Sequence, residues 1–268
     1  MSENFHPFGD GASPPLLEMR GVSVAAMRDT SFTVVEDVTW SVAAGEFWVI
    51  AGPQHSGKSD FLKMTGGLMP PTKGSYKLFG RETKNFGEAE LADRLRVGFV
   101  FEGGQLFNHL TIRENVTLPL QYHRDLPPDS AAQEVQTLLE LTELTPLADI
   151  TPPSISGNWR QRAALARALM LKPEVLLLDN PLGRLGGRHL HWWLRFLDRL
   201  WHGHQWAGGR PMTLVAATDD LRPWQSAQRK FALLRDKQFS PLGRWDKVAS
   251  SSDPVVKELL AVPVETTI

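Results

Sequence analysis

The chain has 268 residues, 42% of them hydrophobic, a formal net charge of −1 and no cysteine. That length and apolar share supply core for one large domain or two closely packed lobes. The charge balance excludes a basic nucleic-acid or anionic-membrane footprint, the lack of cysteine excludes disulfides and thiolate metal sites, and no apolar run approaches the roughly 18 residues of a membrane-spanning helix.

Residues 1–15 are polar with scattered Phe, Gly and Pro, lack a basic start and an apolar stretch, and read as a loose tail rather than a secretory signal. Leu16 to Val24 and Thr33 to Val42 alternate apolar and polar residues and read as antiparallel strands. Phe47 to Ala51 is a continuous apolar run, the pattern of a strand buried on both faces. It ends on Gly52-Pro53-Gln54-His55-Ser56-Gly57-Lys58-Ser59, the G-x-x-x-x-G-K-[ST] spacing of a phosphate loop. The glycines let backbone N–H groups converge on phosphate oxygens. Lys58 is placed for the β- and γ-phosphates and Ser59 for Mg²⁺, with a helix over Phe61 to Leu68 aiming its positive end at the same anion. The motif says nucleotide; it does not say hydrolysis.

Pro70 to Gly74 turns the chain into a strand at Ser75 to Phe79. Arg96 to Phe101 reads as another buried strand, ending at Glu102-Gly103-Gly104-Gln105. Thr111 and Glu114 form a capping box that opens a helical stretch, with Pro-rich breaks, running to about Leu147. Pro152 to Ser154 is a linker. Ile155-Ser156-Gly157-Asn158-Trp159-Arg160-Gln161-Arg162 leads into a helix over Ala163 to Leu171. Val175 to Leu178 is a buried strand closed by Asp179-Asn180-Pro181. His189 to Trp201 has helical apolar spacing, and Thr213 to Ala217 is a further buried strand. Strands alternating with helices imply a mainly parallel α/β core.

Taken in order, the phosphate loop, Val100-Phe101-Glu102, Ser156-Gly157 before Arg160 to Leu169, Leu177-Leu178-Asp179, and Ala217-Thr218-Asp219-Asp220 resemble the nucleotide-binding subunit of an ABC transporter. The resemblance spans roughly Leu16 to Leu260. It implies a P-loop NTPase core of ABC type, with an N-terminal antiparallel β subdomain and an α-helical signature subdomain at about residues 103–170. The domain would run over residues 16–248, with a C-terminal extension at 249–268. Phe101 to Thr111 with Glu114-Asn115-Val116, and Ser252 to Leu260, are similar to the Mla/Mce-type lipid-transport ATPases.

The resemblance implies ATP and Mg²⁺ as cofactors and a head-to-tail pair of such subunits. Lys58 and Ser59, with the rest of Gly52 to Asp60, would face Ser156 and Gly157 of the partner. Ser59, Glu102 and Asp179 would serve Mg²⁺, and the segment near Glu102 to Leu110 would meet an integral-membrane permease. The chain would then sit peripherally on the cytoplasmic face of the inner membrane.

Several positions depart from that pattern. Asn180 stands where the family has a general-base Glu, and an amide cannot accept a proton, a loss that typically costs roughly 10²–10⁴ in rate. Asp219 replaces the switch His and sets a carboxylate near the γ-phosphate. Gly186 replaces the D-loop Asp, and Asn158 and Trp159 replace a Gly and a Gln of the signature, where the Trp ring could block the partner's nucleotide. Asp60 replaces a hydroxyl residue; at about 5 Å and an effective dielectric of ~20 a carboxylate repels a phosphate charge by roughly 3 kcal/mol before screening. No ring falls where the family stacks adenine, Phe32 being the nearest. Glu102 replaces a Gln and keeps a Mg²⁺-capable oxygen.

These changes imply an ATP-binding subunit with slow or absent hydrolysis. The alternatives are a working ATPase or a nucleotide-independent scaffold. His189, His191, His202 and His204 do not converge on one helix face and read as no metal site. Trp192, Trp193, Trp201 and Trp206 read as core or subunit packing, and Arg160 and Arg162 as charges of the signature helix.

Overall fold

Fully buried Leu17, Met19, Val22 and Val24 mark one face of the strand that opens the fold. The computed structural model describes residues 14–83, 91–124, 128–183 and 185–261. The tail at 1–13, the last residues of the C-terminal extension and Arg184 lie outside the described residues. The chain divides into two compact units, residues 1–90 with 215–268, and residues 91–214.

In the first unit β1 (Leu17–Ala26) pairs antiparallel with β2 (Asp29–Val42) and with β4 (Lys73–Leu78), which pairs with the short β5 (Arg81–Glu82). The sheet continues through β10 (Gln238–Gly243), β9 (Lys230–Arg235), β3 (Phe47–Ala51) and β8 (Thr213–Thr218), whose residues from Val215 onward belong to this unit. β3 runs parallel to β9, while β9 and β10 form an antiparallel hairpin. The sheet is therefore mixed, parallel around β3 and antiparallel in β1, β2 and β4. Every residue of β3 is buried, as its unbroken apolar run requires.

Helix α1 (Lys58–Thr65) is fixed to this sheet by Phe61, whose ring lies 5.7 Å from Trp40 and 5.3 Å from Phe239. Its C-terminal end is held by the buried Tyr76 hydroxyl, which donates to the Thr65 carbonyl. Burial pushes that phenol's pKa up. The helix starts three residues earlier than its apolar pattern suggests, because Gly57 caps it in a left-handed conformation. Helices α7 (Trp245–Ala249) and α8 (Pro254–Leu260) close the unit.

The second unit holds α2 (Leu91–Arg94), β6 (Val97–Val100), α3 (Ile112–Arg124), α4 (Pro128–Leu141), α5 (Gly157–Leu169), β7 (Val175–Asp179) and α6 (Gly187–His202). β6 and β7 are parallel. Arg96 pins their starts together, donating to both Glu174 oxygens at 2.7 and 3.0 Å and to Asp93 at 3.0 Å. The capping box at α3 is present: Thr111 N donates to Glu114 Oε2 at 2.7 Å and Glu114 N to Thr111 Oγ1 at 3.2 Å. The α5 helix begins six residues ahead of the stretch read from sequence, at an extended Ser156.

Candidate functional site

The phosphate loop is built so that two glycines are obligatory. A Cβ on Gly52 would sit 2.2 Å from the Leu234 carbonyl oxygen, and one on Gly57 would sit 3.0 Å from Val34 Cβ at a φ of +92°. Gly52 N donates to Thr218 O, tying the loop to the end of β8. Lys58 folds over the loop, its Nζ donating to Gly52 O at 2.7 Å, Pro53 O at 2.6 Å and Ser56 Oγ at 3.3 Å. Left-handed His55 (φ 62°) and Gly57 reverse the backbone ahead of α1, the conformation from which successive N–H groups form an anion-binding concavity. An ammonium over that concavity at a helix N-terminus fits a phosphate, and Ser59 occupies the second position of the helix.

Asp60 is less adverse than its charge suggests. It lies in the first turn of α1, where a carboxylate complements the helix dipole, and its Oδ1 pairs with Lys63 at 3.1 Å. Asp219 reaches the loop: Gln54 Nε2 donates to its Oδ2 at 3.4 Å. The neighbouring Asp220 is held by Arg222 at 2.8 and 2.6 Å. Phe32 is 56% exposed on β2. The Lys237 ammonium lies 5.3 Å from its ring.

In the second unit Asp179, 5% exposed, ends β7. Asn180 follows with φ 46°, a conformation Asn tolerates better than most residues. Its Nδ2 donates to Glu102 Oε1 at 2.9 Å, and its Oδ1 is buried with no hydrogen-bond partner among the described residues. The loop that carries Glu102 is held by α5: Gln161 Nε2 donates to Phe101 O at 3.2 Å, and Arg167 donates to Gln105 O at 3.0 Å and Gly104 O at 3.1 Å. Burial pushes the Arg167 pKa down. Further along, the buried Asn115 side chain accepts from Phe107 N and donates to the carbonyls of Phe107, Leu110 and Thr111.

Ser156 and Gly157 are exposed at the start of α5. The Trp159 ring is drawn onto its own unit, edge-on to His189 at 5.3 Å and under the Arg162 guanidinium at 4.7 Å. Arg162 is not a surface charge, being 1% exposed. It lies 3.8 Å from the Trp192 ring, donates to Glu143 Oε2 at 2.6 Å and contacts His189 Nδ1 at 3.3 Å. Charged residues inside an aromatic box carry no signal in a linear sequence, because Arg162, Glu143 and Trp192 come from three separate elements. Trp193 is fully buried, and Trp192 stacks on Phe196 at 4.7 Å. His191 and His202 bond to backbone carbonyls of their own helix, and His204 accepts from Trp206 N. Among the described residues no cluster of three or more His, Asp or Glu could hold a metal ion, and no helix is long and apolar enough to cross a membrane.

A family model described as ABC transporter matches residues 35–183. The sulfate/thiosulfate import ATP-binding protein CysA of Synechococcus elongatus is 41% identical over 179 residues, covering 66% of this chain and 51% of the relative. The CysA of Synechocystis is 38% identical over 207 residues, covering 76% of this chain and 54% of the relative. The chain thus spans about half the length of the curated relatives it matches. The ATP-binding cassette MJ0796, as a dimer in a post-hydrolysis state with ADP and Pi, superposes with a TM-score of 0.72 at 28% identity over 83% of this chain and 95% of that one. A further dimeric structure of the same cassette gives the same figures. Domains of this family bind ATP with Mg²⁺.

Proposed function

Because the chain belongs to the ABC transporter family of ATP-binding domains, we propose that it is the ATP-binding subunit of a transporter, with hydrolysis slower than a Walker B glutamate would give. In the first unit Lys58 takes phosphate and Ser59 takes Mg²⁺. Asp179 and Glu102 are the candidate Mg²⁺ carboxylates of the second unit, and Ser156 with Gly157 is its candidate contact with the nucleotide of a second subunit. When bound, Mg²⁺ neutralises phosphate charge. The observation that carries this reading is Lys58 clasped over a loop whose Gly52 and Gly57 admit no side chain. A scaffold that had abandoned nucleotide has no physical need of that clasp.

The relatives at 35–41% identity are named for sulfate/thiosulfate import, and import of an oxyanion is the first reading of the cargo. Lipid transport of Mla/Mce type stands second. Its C-terminal stretch has a structural explanation: Asp253 caps α8 through Val255 N at 2.8 Å, and Val256 and Leu259 are buried. With a permease the chain would sit peripherally on the cytoplasmic face of the inner membrane. The test is calorimetry with Mg²⁺ and ATP on the wild type and Lys58→Ala, with phosphate release read on the same samples. Binding that depends on Lys58 supports the reading; binding indifferent to Lys58, or none, sinks it. Stimulation by sulfate or by phospholipid, in vesicles holding the cognate permease, separates the two cargoes.

A further inference from the structure

We propose that the outward face of helix α6 is a docking surface for an acidic helix of a partner protein. At about 100° per residue, five of its side chains fall within an arc of about 80°: Arg188, His191, Arg195, Arg199 and His202. All five are exposed. Trp192, Trp193, Phe196, Leu197 and Leu200 are buried on the other side, so the helix cannot turn to hide the stripe. His191 sets Nδ1 at 2.7 Å from the Gly187 carbonyl and His202 sets Nδ1 at 2.8 Å from the Asp198 carbonyl. A carbonyl only accepts, so both nitrogens are donors, and both rings are laid along the helix. From Arg188 to His202 the stripe is about 21 Å long.

The stripe departs from the way this chain treats other exposed cations. Arg113 pairs with Asp149, Lys172 with Glu134 and Lys237 with Glu36. Arg188 and Arg195 have no ion pair among the described residues. Neither has Arg199, whose guanidinium lies 5.5 Å from the Phe196 ring of its own helix. Arg195 and Arg199 stand one turn apart, a like-charge spacing that disfavours a helix on its own. Asp198 is the sole carboxylate in the sequence of α6. The net charge of the chain is −1, so these cations are gathered on one face and do not follow from a basic composition.

Charge complementarity selects the occupant. A guanidinium is a planar fork that takes a carboxylate through two parallel hydrogen bonds. The three arginines are spaced at seven and then four residues, so a facing helix that repeats those intervals sets one carboxylate against each. A bilayer surface is met by apolar side chains set beside the cations, and none of the exposed large hydrophobic residues described lies on α6. A nucleic-acid duplex is met by a basic footprint broad enough to neutralise many phosphates, and this stripe is one side chain wide. None of the residues assigned to ATP or Mg²⁺ lies on α6, so the surface is independent of that reading.

The experiment titrates the full chain into a labelled helical peptide whose glutamates stand four and then seven residues apart, and reads fluorescence anisotropy. At low salt a Kd below about 100 µM is expected, weakened by about fivefold or more as salt rises from about 0.05 to 0.3 M. Arg195→Glu is expected to weaken binding by about tenfold, and Lys257→Glu, the same charge change at an exposed position of α8, by less than about twofold. A peptide of the same composition with its glutamates scattered around the helix is expected to bind about fivefold more weakly. Circular dichroism checks each variant; should Arg195→Glu fail to fold, Arg195→Gln is expected to weaken binding by about threefold. The proposal is overturned by a peptide Kd above about 100 µM at low salt. It is overturned equally by the same loss in Arg195→Glu and Lys257→Glu, or by equal binding of the two peptides, either of which marks unspecific attraction. Tighter binding of phosphatidylglycerol vesicles or of a duplex oligonucleotide than of the peptide assigns the stripe to a membrane or a nucleic acid and also overturns it.

Discussion

Replacing Arg162 measures what holds the signature helix to its own unit. The guanidinium is 1% exposed and lies over Trp192 at 3.8 Å and Trp159 at 4.7 Å. Two such contacts in a desolvated site contribute about 1 kcal/mol each. The 2.6 Å bond to Glu143 adds about 1.5–3 kcal/mol as a charge-assisted hydrogen bond. Against these stands the cost of removing the cation from water, and that burial is also what holds the Arg162 pKa below its ordinary value. The net electrostatic gain is then about 1–2 kcal/mol. Arg162→Ala also loses the packing of the aliphatic stem, about 2 kcal/mol, for a total of about 3–4 kcal/mol. Arg162→Met keeps most of the volume and lets the half-exposed Glu143 return to water, so its cost is about 1–2 kcal/mol. Urea unfolding, with hydrogen exchange of α5 and α6 peptides read by mass spectrometry, localises the loss. An Ala variant within about 0.5 kcal/mol of wild type would refute the reasoning.

Gly52→Ala forces a Cβ to 2.2 Å from a backbone oxygen; ATP binding is expected to be lost in calorimetry, with the far-ultraviolet dichroism of the remaining fold retained. Asp60→Thr removes a carboxylate already paired with Lys63, so ATP affinity is expected to rise by about tenfold, or about 1.4 kcal/mol; unchanged affinity would mean that Lys63 cancels the charge. Burial, with the nearby Arg162 and Arg188, holds the His189 pKa below its ordinary value, Glu143 opposing, and burial with Arg199 does the same to His204. A base with a lowered folded pKa charges first in the unfolded chain. Stability is therefore full above about pH 6.5 and falls as pH drops below it. Urea midpoints at pH 8 and pH 5.5 check this, and His189→Asn should flatten the difference. Asp253→Ala removes the α8 cap and its ion pair with Arg235; a lower urea midpoint than wild type is expected.

Elements with strong periodicity were legible in the sequence: β1, β2, β3, β7 and β8 fall where alternation or an apolar run places them. The hairpin of β9 and β10 was not. Its turn uses Asp236 and Lys237, both at positive φ (48° and 64°), in place of the Asn-Gly or Asp-Gly pair that signals such a turn. β10 is also mostly exposed and contains Pro241, so neither composition nor pattern announces a strand. The start of α5 lies ahead of its sequence signal because Gly157 and Asn158 are poor helix formers, although Ser156 is a sound cap. At the site, the phosphate loop was legible because one contiguous segment builds it. The pairing of Glu102 with Asn180 was not, since it depends on the register of two strands distant in sequence. Trp159 read as an obstruction for the same reason: His189, against which its ring is turned, lies on another helix.

That register makes the two positions energetically dependent on each other. Restoring a carboxylate by Asn180→Glu alone would set it within about 3 Å of Glu102, where like charges repel by about 5 kcal/mol at an effective dielectric of ~20. Glu102 is exposed and can turn outward, so the residual penalty is about 1–2 kcal/mol, or a proton is retained between the pair. The single substitution is therefore expected to destabilise the chain and to give little gain in turnover. Adding Glu102→Gln returns the amide-to-carboxylate pairing with its direction reversed. The double variant is expected to recover the repulsive share of the loss, a coupling of about 1–2 kcal/mol in a double-mutant cycle, while keeping about 1 kcal/mol of strain because a Glu tolerates the φ of 46° less well than Asn, and to exceed both single variants in phosphate release. Effects that simply add, in both urea midpoint and release rate, would mean that the hydrogen bond between Glu102 and Asn180 has no bearing on the chemistry.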